Sequence, residues 1–117
     1  MVAVTYADLH KLLNKTVNDI TAANAEALID VAIDTINLVA NQEIANIAAG
    51  TVTMTGPQRG AVLQVAAGLY YNFYLGQIAS NVGGVNVAPG DVMANPYMVR
   101  LLERVRFQLA PRGIVST

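Results

Sequence analysis

From Gly60 onward no charged side chain occurs until Asp91, and within that stretch residues 61–79 read AVLQVAAGLYYNFYLGQIA. A helix of this composition offers no side to water, so it has to be enclosed by its own domain, by further copies of the chain, or by lipid. Its small and polar residues are ordered rather than scattered. Gly60, Gln64, Gly68, Asn72 and Gly76 recur at every fourth position and draw one narrow groove, while Val62, Leu63, Val65, Leu69, Tyr70, Phe73, Tyr74 and Ile78 cover the rest of the surface. A second helix can approach such a groove closely. The candidates are a helix of the same chain, a helix of another subunit, or a partner within a membrane, where small residues at this spacing also mediate association.

The lipid alternative is weakened by Tyr70, Tyr71, Asn72 and Tyr74, which fall near the middle of the span, whereas membrane helices carry tyrosine at the two interfaces. Residues 2–19 hold Asp8, His10, Lys11, Lys15 and Asp19 and lack the apolar run of a secretory signal. A chain of 117 residues is one domain by size, able to hide about two thirds of its unfolded surface. Yet 54% hydrophobic residues against 13% charged ones exceeds what so small a body can place inside. Part of that surplus is expected to meet other protein. Cysteine is absent, which removes disulfides and thiolate metal sites and fits assembly in a cytoplasm.

The order of elements reads as all-α, a small bundle of about four helices. Thr5 with Asp8 forms a capping pair, and Tyr6, Leu9, Leu12 and Leu13 follow at helical spacing to about residue 18. Thr21 opens a long amphipathic helix whose apolar face (Ala25, Leu28, Ile29, Ala32, Ile33, Ile36, Val39, Ala40) runs to about residue 48, before Gly50. Residues 51–55 alternate β-branched side chains but have no evident partner, so they read as an extended connector. Pro57 suits the first turn of the apolar helix, which continues to about residue 79. The segment 80–95, rich in Gly, Asn and Pro, reads as a loop with room for a small hairpin at 85–87. Asn95 and Pro96 then start a last helix to about residue 108, with Met98, Leu101, Leu102 and Val105 facing inward. The bundle domain is thus residues 1–107, and 108–117 form a C-terminal tail.

Little in the chain suggests a reaction. His10, the one histidine, has no second histidine or cysteine to complete a metal site, and no phosphate loop, dinucleotide fingerprint or nucleophile elbow occurs. The expectation is a protein that is not an enzyme and needs no cofactor or metal.

Charge is more informative. Residues 1–50 hold six acidic and two basic side chains, whereas 51–117 hold five arginines against Asp91 and Glu103. Glu26, Asp30 and Asp34 stand at i, i+4 and i+8, with Asn37 and Asn41 prolonging the stripe. Like charges at that spacing cost about 0.2–0.5 kcal/mol per pair. Arg100 and Arg104 repeat at the same interval, with Arg106 beside them. The two stripes are either solvated faces or complementary surfaces that meet between adjacent copies and fix their register. A third use, exclusive of the second, places the acidic row in a channel through which DNA passes, since a strongly basic channel holds phosphates.

With the helices placed, the chain resembles the head-to-tail connector (adaptor, head completion) proteins of tailed bacteriophages. The similarity lies in TYADLHKLL, ALIDVAIDTIN, GPQRGAVLQVAAGLYYNFY, the Gly-rich loop and PYMVRLLERVR, roughly residues 5–106. It departs at Phe73-Tyr74, where such proteins commonly carry an arginine and an acidic residue. The resemblance implies a subunit of a virion neck, forming a homo-oligomeric ring, dodecameric in that family, that joins the portal of the head to the tail and lets DNA pass without sequence-specific binding. In such a ring the two charge stripes assign the subunit contacts to Glu26, Asp30, Asp34, Arg100 and Arg104, and contacts with the portal or the downstream neck or tail protein fall to the loop 80–95 and the tail 108–117, with Arg106, Arg112, Ile114 and Val115. Two other classes stand beside it: a small membrane-associated protein built on the 61–79 helix, and a helical nucleic-acid-binding or packaging factor using Arg100, Arg104 and Arg106.

Overall fold

The computed structural model describes residues 2–47, 52–75, 85 and 87–109. They form a small all-α bundle: α1 (Tyr6–Leu13), α2 (Ala22–Ala40), α3 (Gly56–Leu69) continued by a π-helical turn (Tyr70–Tyr74), α4 (Pro89–Met93) and α5 (Pro96–Gln108). Helix α2 is the hub, packing against α1, α3, α4 and α5, while α3 also touches α1 and α5. Its inward face, Ala25, Leu28, Ile29, Ala32, Ile33 and Ile36, is fully buried, as the apolar periodicity requires. Each large aliphatic side chain so hidden contributes about 1.5–3 kcal/mol.

The start signals act as the sequence implies. Asp8 Oδ2 accepts from the Thr5 N–H (2.9 Å), and Thr21 Oγ1 accepts from the Asn24 N–H (3.2 Å). Thr55 and Gln58 exchange side-chain and backbone bonds at 3.2 and 3.1 Å, and Asn95 Oδ1 accepts from the Met98 N–H at 3.1 Å.

The stops fall earlier than the apolar pattern predicts. Helix α1 ends at Asn14 (φ 56°) rather than near residue 18, and α2 ends at Asn41 (φ 52°) rather than near residue 48. Asparagine tolerates this left-handed conformation and so terminates a helix much as glycine does. Beyond Asn41 an irregular segment still delivers buried Ile44 and half-buried Ile47, which is why the apolar period outlasts the helix.

Two further expectations change. The connector contains a strand: β2 (Thr53–Met54) pairs antiparallel with β1 (Val2–Ala3), Val2 opposite Met54 and Ala3 opposite Thr53. Its partner lies some fifty residues away in sequence, out of reach of local reasoning. The Gly-rich loop contains α4, opened by Pro89 and by Asp91 Oδ2 accepting from the Ala88 N–H at 3.0 Å; Val85 and Val87 lie in no strand. Residues 76–79 of the expected apolar helix and the tail from residue 110 lie outside the described residues.

The apolar helix does have a wet side. Gln64, Tyr71, Asn72 and Leu75 are exposed, while Val62, Leu63, Val65, Ala66, Leu69, Tyr70 and Tyr74 are buried. At the π-helical turn the Leu75 N–H reaches back to the Tyr70 carbonyl, and the Asn72 amide donates to the Gly68 carbonyl at 2.8 Å. Tyr70 and Tyr74 stack with centroids 5.6 Å apart, and the Tyr74 hydroxyl accepts from Asn24 Nδ2 at 2.8 Å, tying this turn to the start of α2. Among the described residues, no helix is long and apolar enough to cross a membrane.

At the other end of the bundle Gln42 joins three helix ends. Its Nε2 donates to the carbonyls of Ala40 (3.0 Å) and Leu109 (3.2 Å), and its Oε1 accepts from Gln58 Nε2 (2.9 Å).

Candidate functional site

The acidic row is partly occupied within the chain. Asp30 Oδ1 accepts from the Ile47 N–H at 2.6 Å, and Asn46 Nδ2 donates to Asp34 Oδ1 (3.1 Å) and to the Asp30 carbonyl (3.4 Å). Asn37 clamps the Ile44 peptide group from both sides, at 2.9 and 3.0 Å. The stripe that looks self-repelling in the sequence therefore holds down residues 42–47, which lack ladder partners for their backbone groups. A carboxylate accepts up to four hydrogen bonds, so Asp30 and Asp34 keep acceptor capacity toward water. Glu26 and Asp30 are half-buried and Asp34 is exposed. Among the described residues the only ion pair is Asp8–Arg59 (3.0 Å), which links α1 to α3 and leaves the row without a cation.

The basic row lies on another side. On α5, Met98, Leu101, Leu102 and Val105 face the core as expected, so the opposite face turns outward. That face carries Tyr97, Arg100, Arg104 and Phe107 in one strip, and Phe107 is 87% exposed and Tyr97 57%. Arg106 points elsewhere, toward a cavity of about 240 Å³ lined by Val39, Met93, Val99, Leu102 and Glu103. Arg112, Ile114 and Val115 lie outside the described residues.

Between α1, α3 and α5 runs an open groove of about 620 Å³, with Leu12, Gln64, Tyr71, Asn72, Tyr97 and Arg104 on its walls. Gly68 lies at its base. There a Cβ would stand 2.9 Å from Met98 Sδ and 3.2 Å from Leu101 Cδ2, so the row of small residues seats α5 at this one point. Gly60 has nothing within 4 Å of such a Cβ. The groove read from the sequence is thus half filled by the chain's own last helix and half open. Leu12, placed on the inner face by periodicity, is exposed on the rim together with Tyr71.

The titratable groups serve the loops. His10 is buried and its Nε2–H donates to the Ile20 carbonyl at 2.8 Å, fastening the turn between α1 and α2. The Thr16 N–H, donating to Asp19 Oδ2 at 2.9 Å, holds that carboxyl below its ordinary value despite some desolvation. Burial pushes the Tyr70 phenol up. Among the described residues no group of three or more histidine, aspartate or glutamate side chains is placed to hold a metal ion.

The residues that sequence reasoning missed are apolar ones on the outside: Leu12, Leu38, Tyr71 and Phe107. A signal existed for Phe107, since Tyr97, Arg100, Arg104 and Phe107 follow a 3-4-3 spacing that places them on one face. Set against protein-family models, curated proteins and solved structures, the chain matches none.

Proposed function

We propose that this chain is a structural, non-catalytic subunit of a virion neck, whose copies form a ring between the portal of the head and the tail and leave a lumen for DNA. The observation that carries the reading is the outward strip of α5. A helix that buries four core positions still leaves two aromatic rings in water, together with two guanidinium groups that form no ion pair among the described residues. Contiguous surface of this kind marks a contact with other protein. The acidic row on a different side gives one subunit two complementary faces, and the connector-like order of helices supplies the biological setting. Contact with the portal or the next neck component falls to Arg106 and to Arg112, Ile114 and Val115, the last three outside the described residues.

The test is solution mass, alone and with portal rings of the phage that carries the gene. Association with the rings is expected, and removal of residues 110–117 should leave a folded helical protein that no longer joins them. A particle of 12.4 kDa that stays single in both conditions refutes the reading.

A further inference from the structure

We infer that the outward strip of α5 docks on the outward face of α2 in a second copy of this chain, so that the contact is head-to-tail rather than reciprocal. This rests on the neck-ring reading and names its subunit interface.

Four observations lead here. First, both faces have the spacing of a helix-packing seam. Tyr97, Arg100, Arg104 and Phe107 fall at intervals of three, four and three, and Ala27, Val31, Asp34 and Leu38 at four, three and four. The strips are about 15 and 16 Å long at 1.5 Å per residue. Second, each strip ends in a large apolar side chain left in water, Phe107 at 87% and Leu38 at 63% exposure, and although Asp30 and Asp34 hold the Ile47 N–H and Asn46, no ion pair reaches Arg100, Arg104, Asp30 or Asp34 among the described residues.

Third, the faces are complementary in size and, apart from Glu103 beside Arg100 and Phe107, in charge. Laid in the same direction, Tyr97 falls opposite Ala27, Arg104 opposite Asp34 and Phe107 opposite Leu38. Reversed, Arg100 meets Asp34, Arg104 meets Asp30 and Tyr97 meets Leu38. The i, i+4 repeat of both charged rows pairs two guanidiniums with two carboxylates either way, whereas two α5 strips packed on each other set Arg100 against Arg104 of the second copy. Fourth, the faces cannot meet inside one molecule. Helices α2 and α5 pack against each other through their buried sides, and the Tyr97–Arg104 side of α5 borders the groove with α1 and α3. A contact between two different faces propagates from copy to copy, closing into a ring or running on as a fibre. One helix pair of this length hides on the order of several hundred Å² per partner, the low end of specific contacts, so closure of the ring or high concentration is needed to populate it.

The experiment uses one substitution on each face, Phe107→Glu on α5 and Leu38→Lys on α2, both at exposed positions and both checked for unchanged helical circular dichroism. Asp30 and Asp34 are left intact because they fasten residues 42–47. At concentrations where the wild type associates, each variant alone should sediment as a monomer, with association at least tenfold weaker. Mixed in equal amounts at high concentration, since an open pair gains nothing from ring closure, they should give a species of twice the subunit mass and nothing larger, because one intact α5 strip meets one intact α2 face. If Leu38→Lys still dimerises by itself while Phe107→Glu does not, the contact is reciprocal and the inference is wrong. If both variants assemble like the wild type, or if only nucleic acid binding responds to Phe107→Glu, the inference is also wrong, yet the neck reading stands. A wild type that neither associates nor joins portal rings removes the neck reading itself.

Discussion

Replacing Gly68 and Gly60 by alanine, one at a time, separates what the fourfold repeat of small residues does from what it looks like. Both glycines lie within α3, where alanine is favoured over glycine by about 0.8–1 kcal/mol through helix propensity. At Gly60 nothing lies within 4 Å of the added methyl, so Gly60→Ala should stabilise by about 0.5–1 kcal/mol. At Gly68 the methyl meets Met98 Sδ at 2.9 Å and Leu101 Cδ2 at 3.2 Å. Met98 is fully buried, with its sulfur 3.9 Å from the Asn72 amide, so it can yield only by disturbing the α3–α5 contact. Overpacking of this kind costs roughly 1–3 kcal/mol, toward the lower end here because methionine is flexible. After the propensity gain, Gly68→Ala should be left within about 0.5 kcal/mol of the wild type and below Gly60→Ala by about 0.5–1 kcal/mol, near 2–4 °C in Tm for a chain of this size. Urea denaturation followed by circular dichroism reads both variants, provided the slope m stays that of the wild type. A Gly68→Ala midpoint as high as that of Gly60→Ala refutes the close approach of α5.

Two smaller predictions follow from the loops. Asp30→Ala removes the acceptor for the Ile47 N–H and should destabilise the fold by about 2 kcal/mol, the scale of a hydrogen bond to a charged group, and open residues 42–47 to protease; unchanged midpoint and cleavage pattern count against the fastening role. Asp19 has a folded pKa held below the ordinary 3.8 by the Thr16 N–H, so its contribution is present above the unfolded value and lost as pH falls through the folded one. The stability gap between wild type and Asp19→Asn should therefore close as the solution is acidified below that range, and a constant gap down to strongly acid pH excludes the linkage.

Helix starts were legible because their chemistry is local: Thr5, Thr21 and Asn95 each lie within three residues of the backbone or side-chain group they engage. The stops were harder. Asn14 and Asn41 are competent terminators, but at Asn41 an apolar period that continued through Ile44 and Ile47 outweighed the stop in a reading by periodicity. The pairing of Val2–Ala3 with Thr53–Met54 depends on the bundle bringing distant segments together, which no local signal records. For the candidate surfaces, the sequence showed that Arg100 and Arg104 share a face and that Glu26, Asp30 and Asp34 form a row. It could not show that Asp30 and Asp34 also hold a return segment, because that depends on the path of the chain after Asn41. Nor could it show Leu38 in water, since solvent exposure of an apolar residue at a seam position is decided by which neighbours arrive.

The Gln42 amide has a mechanical consequence. It grips the peptide carbonyl of Leu109, the last described residue of the chain, and through its two other bonds is braced on the end of α2 and the start of α3. Tension applied to the residues that follow is thus met at their root by three helices in parallel rather than by unwinding α5 one turn at a time. An anchor of this kind spreads a pull at Leu109 over three helix ends at once.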